Sequence, residues 1–295
     1  MPPSRMRALA ALCVALVAAS AAVPLAFGIR LHVTGLLEAV LGSVLLVGCS
    51  ALALNGSRPV ALSARRAVPA VLATTAANAV TPAGIGGNLM MLRIHRKSGL
   101  SAEQAAAAAG LRTAVGVLCA TTITAVTAST VGMQSMPSSD TRLKLAVLFV
   151  AAVGLATVFM HKTRRRVVES AGRFARAVWD VVRQPRCAIS LVVGCVGVTL
   201  AQLLTLQGAV HAVGGHIAVD ELLVTLLGSA AARSAVPSPG GVGPIEAALV
   251  AGLTALGMHW ETAVTAVAVY RTAGHWMPVL AGVISLGQLR RRHLI

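Results

Sequence analysis

The chain has 295 residues, of which 56% are hydrophobic and only 12% are charged, and its mean hydropathy is +0.80. Soluble domains carry about twice that share of charged residues, so the composition excludes an ordinary soluble protein. Several apolar runs are long enough to cross a hydrocarbon core of ~30 Å, and none shows the period-two alternation of membrane β-strands. The sequence therefore predicts an all-α polytopic membrane protein.

The formal charge is +16, from 25 basic and 9 acidic residues. Nucleic-acid binding is one explanation. However, the basic residues cluster in loops that are expected to face the cytoplasm, where Lys and Arg set the orientation of a membrane protein. Such loops also attract anionic headgroups, by ~1 kcal/mol per basic residue. We therefore expect membrane lipids as partners, no nucleic acid, and both termini on the cytoplasmic side of the cell (inner) membrane.

Neither a metal nor a cofactor is expected. The five cysteines are scattered, without a CxxC pair or zinc spacing. A polar outer loop holds two histidines and two acids, but their spacing matches no known ligand pattern: His211, His216, Asp220 and Glu221.

The first apolar run covers residues 8–27. It also resembles a cleaved signal peptide with small residues at 20–22, and whether residues 1–22 are removed stays open. Its length favours an uncleaved first crossing. Residues 36–54 then return to the cytoplasmic side, where basic residues begin at Arg58.

Residues 67–92 form an apolar segment that is interrupted in the middle by Pro82, Gly84, Gly86 and Gly87. Proline and glycine break helices, which leaves limbs of about 15 and 8 residues. The basic residues Arg93, His95, Arg96 and Lys97 follow, so the segment enters and leaves on the same side. This predicts a re-entrant hairpin, which is tolerated only where protein surrounds it or a cavity lies beside it.

The spacing of Ser101 and Gln104 is that of a capping box and predicts the start of a long helix that ends near Val131. Residues 143–160 return inside. The segment 162–186 is predicted as a basic amphipathic linker on the inner membrane surface, with a solvated linker helix as the alternative.

Residues 188–210 cross outward, and residues 222–236 enter again from outside. A second break, Pro237-Ser-Pro-Gly-Gly-Val-Gly-Pro-Ile-Glu246, turns the chain back, and residues 262–289 cross inward. This second hairpin opens from the face opposite to the first. The prediction is one transmembrane domain, 1–295, with about six transmembrane helices plus two re-entrant helical hairpins.

The two breaks belong to a predicted inverted repeat, with a first copy at about 36–133 and a second at about 187–290. Residues 82–112 align with residues 239–271, and the basic loops place the copies in opposite orientations. Chance similarity of two Gly-Pro loops is the alternative. Inverted repeats with broken helices typically place a binding site near the membrane midplane.

Two arginines follow the breaks inside apolar helices: Arg112 lies ~16 Å and Arg271 ~14 Å from its helix start. Arg233 lies within the second hairpin. A charge at that depth costs ~2.5–3.5 kcal/mol, and a guanidinium fits a phosphate or carboxylate in two-point contact. The acids expected inside are Glu246 and Glu38, which leaves room for an anionic ligand. A buried ion pair that fixes two helices is the alternative.

Backbone N–H groups at the start of each half-helix favour an anion. Pro244 suits a first helical position, Asn88 is expected to cap the other half-helix, and Pro278 to kink the last helix. Glu246 is predicted as a counter-ion for Arg233 or Arg271, or as a protonation site. No catalytic residue is predicted. The predicted headgroup-binding residues are Arg112, Arg233, Arg271, Glu246, Gly84, Gly86, Gly87, Asn88, Gly240, Gly241 and Gly243.

The second motif is Pro239-Gly-Gly-Val-Gly-Pro-Ile-Glu246, followed by Tyr270-Arg271, His275-Trp276-Met-Pro278 and Gly282. It resembles the transmembrane region of lysylphosphatidylglycerol synthases and their stand-alone, flippase-like relatives. The first motif, residues 82–87 and then Arg93, is looser, and Asn88 stands where the family often has an acid. The resemblance covers residues 67–287 and implies a membrane domain that moves polar or charged lipids between leaflets.

The expected function is therefore that of a lipid flippase-like protein for an anionic or aminoacylated headgroup. A small-anion or solute secondary transporter and a non-catalytic accessory subunit of an envelope-synthesis enzyme are the alternatives, and a homo-oligomer is possible. The chain lacks a phosphate-binding loop, an H-E-x-x-H pair and a G-x-S-x-G elbow. We therefore expect no enzymatic activity. Substrate, transport direction and energy source stay open.

Overall fold

A computed structural model of the chain describes residues 22–58, 62–79, 85–130, 183–235 and 242–291, with Thr81 and scattered positions at 11, 14–15, 17–19 and 178–179. Within these residues every regular element is a helix. The helices are α1 Val33–Gly56, α2 Ala64–Ala79, α3 Ile85–Lys97, α4 Ala102–Thr130, α5 Pro185–Ala212, α6 Val219–Ala235, α7 Pro244–Ala255, α8 Trp260–Arg271 and α9 Met277–Arg291. A π-helical turn, Thr272–Trp276, joins α8 to α9.

Three described helices are long and apolar enough to cross a membrane: α1, α5 and the Ala102–Ile123 part of α4. They agree with three predicted crossings. Helix α8, the π-helical turn and α9 continue without a gap over residues 260–291, which also exceeds the ~20 residues of an apolar span. The predicted crossings at 8–27 and 143–160 lie partly or wholly outside the described residues, as does most of the linker at 162–186.

Among the described helices, α1 and α5 form the most closely packed pair. Both carry glycines at their contact, and a Cβ added there would collide with the backbone or side chain of the other helix. The facing pairs are Gly35–Ala212, Gly42–Thr205, Gly56–Leu191, Ala53–Gly194 and Ala39–Gly208. Small residues of this kind let two helix backbones approach closely inside a membrane, where packing replaces the hydrophobic effect as the driving force. We call this contact the α1–α5 seam.

The seam is antiparallel and keeps its register over its whole length. A step of seven residues from Gly35 to Gly42 on α1 is matched by a step of seven back from Ala212 to Thr205 on α5. Gly42 and Gly56 on α1 have the same separation as Gly194 and Gly208 on α5. A half-turn that exchanges the two helices places Gly42 on Gly194 and Gly56 on Gly208. It also places the residues that they face, Thr205 and Leu191, on Ala53 and Ala39. The α1–α5 seam is therefore locally two-fold symmetric.

The two predicted hairpins pack against opposite ends of the seam. Helices α2 and α3 share a core with the last turns of α1, around Ala51 and Leu54. Helices α6 and α7 share a core with the last turns of α5, around Leu206 and Val210. Because α1 and α5 are antiparallel, their last turns lie at opposite ends of the pair. Each hairpin therefore occupies its own end of the molecule.

The four hairpin limbs have 16, 13, 17 and 12 residues in α2, α3, α6 and α7, all below the ~20 residues of a full span. The prediction of about 8 residues for the second limb was wrong. Helix α3 continues through the basic residues 93–97, whose side chains favour a helix C-terminus. Helix α9 crosses α2 where Gly282 approaches the Leu72 carbonyl oxygen so closely that a Cβ would not fit.

Several local signals were confirmed. The Ser101 hydroxyl accepts the Gln104 N–H at 3.1 Å and the Gln104 side chain accepts the Ser101 N–H at 3.0 Å, which is the predicted capping box. Pro244 begins α7 as expected. Asn88 was expected to cap α3 but lies inside its first turn with an exposed side chain, because α3 begins at Ile85. Pro278 was expected to kink the last helix, and the irregular backbone in this region is the π-helical turn Thr272–Trp276 that precedes it.

Candidate functional site

Glu246 and Arg271 form an ion pair between α7 and α8. Arg271 Nε lies 2.6 Å from Glu246 Oε1. The other carboxylate oxygen, Oε2, accepts the backbone N–H of Gly243 at 2.7 Å, so the carboxylate also closes the break before α7. Gly243 has a φ of +99°, a left-handed conformation that a residue with a Cβ rarely adopts. Glu246 therefore connects Gly243, just before α7, directly to Arg271 of α8.

Arg271 is buried, with 6% of its surface exposed, whereas 29% of the Glu246 side chain is exposed. The Arg271 guanidinium carbon also lies 5.6 Å from the centre of the Trp276 ring, a distance at which a cation interacts with an aromatic face. The π-helical turn between these residues adds one residue to the turn and so brings Trp276 to the side of Arg271. The sequence interpretation missed the ring contact of Trp276 with Arg271.

Arg112 occupies a different environment in α4. Its side chain is half-buried and lies close enough to His95 of α3 and Cys195 of α5 for electrostatic interaction with each. Among the residues that the structure describes, no carboxylate pairs with Arg112. The two arginines of the predicted repeat thus differ, since only Arg271 has an acidic partner within the described part of the chain.

At the first break, side chains bond two of the backbone N–H groups that were expected to be free. The Gly86 N–H donates to Thr81 Oγ1 at 2.8 Å, and the Gly87 N–H donates to Asn78 Oδ1 at 2.7 Å. A Cβ on Gly86 would lie 2.5 Å from Thr81 Oγ1, and one on Gly87 would collide with Asn78. These two glycines therefore let α2 close over the start of α3. A ligand contact through these amides requires Asn78 or Thr81 to move away.

The remaining predicted residues are described only in part. Arg233 lies near the end of α6, and the structure does not describe its side chain. Gly84, Gly240 and Gly241 fall outside the described residues. Glu38, which was considered as an acid for the arginines, instead contacts His211 of α5, with Oε2 2.7 Å from Nδ1.

Two buried basic residues were missed by the sequence interpretation. Arg58, in the turn after α1, is 1% exposed, and His95, in the last turn of α3, is 0% exposed. Within the described chain, Arg58 Nε and Nη1 and both ring nitrogens of His95 have no hydrogen-bond partner. Burial lowers the pKa of His95 to about 4, with added repulsion from Arg58 and Arg112, and burial also lowers the pKa of Arg58.

A periodicity signal for His95 was present in the sequence. Among the residues of α3 whose burial is described, the buried ones are Gly87, Met91, Ile94 and His95, and their spacing is that of one helix face. No comparable signal marks Arg58, because it lies in a turn where periodicity carries no information.

Long apolar helices, helices broken by Gly-Pro loops and arginines buried among them define a helical integral membrane protein. The family model of the lysylphosphatidylglycerol synthase transmembrane region matches residues 6–282, so the chain belongs to that family. This confirms the resemblance found in the sequence. No curated protein matches the chain.

Proposed function

We propose that this protein moves a lipid with an anionic or aminoacylated headgroup between the leaflets of the cell membrane. The observation that carries the proposal is the Glu246–Arg271 pair, a buried cation held 2.6 Å from a carboxylate at the end of a helix break. A guanidinium at that position suits the phosphate that every phospholipid headgroup carries. The family of the chain, a lipid-synthase transmembrane region, supports a lipid as the ligand.

The symmetry of the α1–α5 seam supports the inverted repeat on which the proposal relies. The two-fold pattern of its glycines relates α1 to α5, the first helices of the two proposed copies. The hairpins packed at opposite ends of the seam agree with re-entrant loops that open from opposite membrane faces. A site reached from each face in turn is what transport across a membrane requires.

Glu246 and Arg271 neutralise each other in the described conformation. An anionic headgroup therefore binds Arg271 fully only when Glu246 is protonated or moves away, since two anions next to one cation repel each other. Glu246 is the more exposed partner, so it is the group that a proton or a cationic aminoacyl group reaches first. In this scheme the lipid phosphate replaces Glu246 as the partner of Arg271 during each transport cycle.

The test is leaflet exchange in liposomes that contain the purified protein. Fluorescent lipids with anionic, zwitterionic or aminoacylated headgroups are compared by chemical quenching of the outer leaflet. We expect Arg271→Ala to slow exchange of the preferred lipid about tenfold or more, because a charge-assisted contact is worth ~1.5–3 kcal/mol. The matched control is Arg65→Ala, which removes the same charge from an exposed position in α2.

The other function classes are separate outcomes of the same experiment. Uptake of a soluble anion without lipid exchange would identify a secondary transporter. If the folded protein moves neither lipids nor anions, an accessory subunit of an envelope-synthesis enzyme becomes the better assignment. Equal exchange by wild type and Arg271→Ala would overturn the headgroup site. We infer that no enzymatic step is involved, since the sequence carries none of the catalytic motifs considered above.

A further inference from the structure

The strongest unexplained feature is a buried group of basic side chains at the end of α1. Arg58 and His95 are almost fully buried, and two guanidinium nitrogens and both imidazole nitrogens lack a hydrogen-bond partner within the described residues. Charged and polar groups in a protein interior are normally paired, because leaving them unpaired costs free energy. Arg58 and His95 therefore need a hydrogen-bond partner that the described residues do not supply.

Three helices bring these side chains together. Arg58 follows α1, His95 ends α3, and Arg112 of α4 lies close enough to interact electrostatically with His95, as Arg58 does. Arg58 and Arg112 are cationic and attract an anion, while the neutral His95 ring can donate one hydrogen bond to it. A phosphate offers several acceptor oxygens for such donors in one compact group.

The backbone around Arg58 is held in place. The Asn55 side chain donates to the Leu62 carbonyl at 3.0 Å and accepts the Leu62 N–H at 2.9 Å, which fastens both ends of the turn. The Arg58 carbonyl is contacted by Cys187 Sγ of α5 at 3.4 Å. Leu62 is thus tied to α1, and the Arg58 backbone is in contact with α5.

The difference in charge between the two proposed copies also favours an anion near Arg58 and His95. In the second copy Glu246 pairs with Arg271. Asn88 follows the glycines of the first break as Glu246 follows those of the second, but Asn88 is neutral and has an exposed side chain. The first copy therefore lacks the carboxylate that neutralises the second, while it holds Arg58 and Arg112 near His95.

We propose that Arg58, His95 and Arg112 form an anion site that binds a phosphate group, separate from the Glu246–Arg271 pair. The source of the phosphate is either a phospholipid headgroup or a soluble phosphate anion. The lipid source rests on the function proposed above, whereas binding of phosphate to the site does not. The site occupies the end of α1 that the basic loops assign to the cytoplasm.

The test is a binding measurement on the full chain in a non-ionic detergent. Isothermal titration and thermal unfolding are recorded with two probes, inorganic phosphate and a water-soluble short-chain phosphatidylglycerol. Sodium chloride at equal ionic strength and an uncharged short-chain diacylglycerol serve as references. We expect both phosphate probes to bind wild-type protein and raise its Tm.

Arg58→Gln and His95→Gln are the test variants, with Arg65→Gln and Arg96→Gln as matched controls at exposed positions on neighbouring helices. Arg58→Gln should weaken binding about tenfold or more, because it removes a charge-assisted contact. The controls should bind as wild type does. If Arg58→Gln does not fold, His95→Gln and the wild-type titration decide the question.

Each result has one meaning. Binding of both probes that depends on Arg58 or His95 supports the site and a lipid source. Binding of inorganic phosphate alone supports the site and assigns it to a soluble anion. No binding of either probe to wild type, or equal binding by wild type and both test variants, overturns the proposal. None of these results depends on lipid exchange, so the site and the transport function fail or stand separately.

Discussion

The Asn78 side chain accepts a hydrogen bond from the backbone N–H of Gly87 across the first helix break, with 2.7 Å between Oδ1 and N. Asn78 belongs to α2 and Gly87 to α3, so this single bond ties the two limbs of the first hairpin together. Thr81 does the same for the Gly86 N–H. The start of α3 is thus closed by the chain itself, and opening it is the step that would expose its amides to a ligand.

Asn78→Ala is expected to destabilise the protein by about 1–3 kcal/mol, because the partly buried Gly87 N–H loses its acceptor. Asn78→Asp keeps an acceptor oxygen at the same place and should retain more stability. Thermal unfolding in detergent measures both. Thr113→Ala is the control, since the Thr113 hydroxyl bonds only within its own helix and is exposed. Equal effects at 78 and 113 would show that the bond does not close the hairpin.

Gly42→Ala is expected to destabilise the α1–α5 seam by about 1–3 kcal/mol, because the added methyl group overlaps a packed neighbour. Its Cβ would lie 2.5 Å from Thr205 Oγ1 and 2.6 Å from Thr205 N. Gly48→Ala in the same helix meets no atom within 4 Å, and should be neutral or stabilising by up to ~1 kcal/mol through helix propensity. Similar melting temperatures for the two variants would contradict the described packing.

Glu246 and Arg271 should show strong energetic coupling. Glu246→Gln leaves the buried Arg271 charge without its carboxylate, and loss of one partner of a buried pair costs about 3–5 kcal/mol. The partial exposure of Glu246 places this variant at or below the lower end of that range. The double variant Glu246→Gln/Arg271→Gln should lose less stability than the two single variants added together. Additive losses in a double-mutant cycle would mean that the two side chains act independently.

Protein stability should fall on acidification because of His95. The pKa of His95 in the folded chain is about 4, below its ordinary value of 6.5, so the unfolded chain takes up the proton first. Neutral, buried His95 contributes about 3 kcal/mol to the free energy of unfolding. This contribution is complete above pH 6.5 and is lost as the pH falls to 4.

The measurement for His95 is chemical or thermal unfolding at several pH values in that window. His95→Gln should remove much of the pH dependence, whereas His259→Gln at an exposed position should leave it unchanged. A wild-type protein whose stability is flat from pH 6.5 to 4 would show that His95 is not buried in the folded state.

The orientation of the hairpins is tested by cysteine labelling in a variant without native cysteines. Lys97→Cys at the end of α3 should react with a membrane-impermeant reagent from the cytoplasmic side, and His259→Cys before α8 from outside. Both positions are exposed. Position 95, at 0% exposure, is unsuitable although it belongs to the same basic cluster. Labelling of both positions from one side would contradict the inverted arrangement.

Local sequence rules predicted local structure well. The Ser101–Gln104 capping box and the start of α7 at Pro244 depend on residues within one turn, and both were confirmed. The apolar runs likewise located α1 and α5, because length and composition alone decide whether a helix suits a membrane.

Contacts between distant residues were harder to predict. Glu38 and His211 pair across 173 positions, and nothing in their local sequence links them. Glu246 had two arginines as candidate partners, and its contact with Arg271 depends on the packing of α7 on α8, which the local sequence does not reveal. Arg58 was interpreted only as the first basic residue of a cytoplasmic loop, because composition records its charge but not its burial.

The α1–α5 seam also limits how the molecule can move. Each glycine fits one partner position, and the fit recurs along the full length of both helices. Sliding α1 along α5 by a few residues would drive bulkier side chains into the opposite backbone at several points simultaneously. The close fit therefore holds α1 and α5 together as one unit, and we expect any rearrangement of the molecule to occur in the helices packed around this pair.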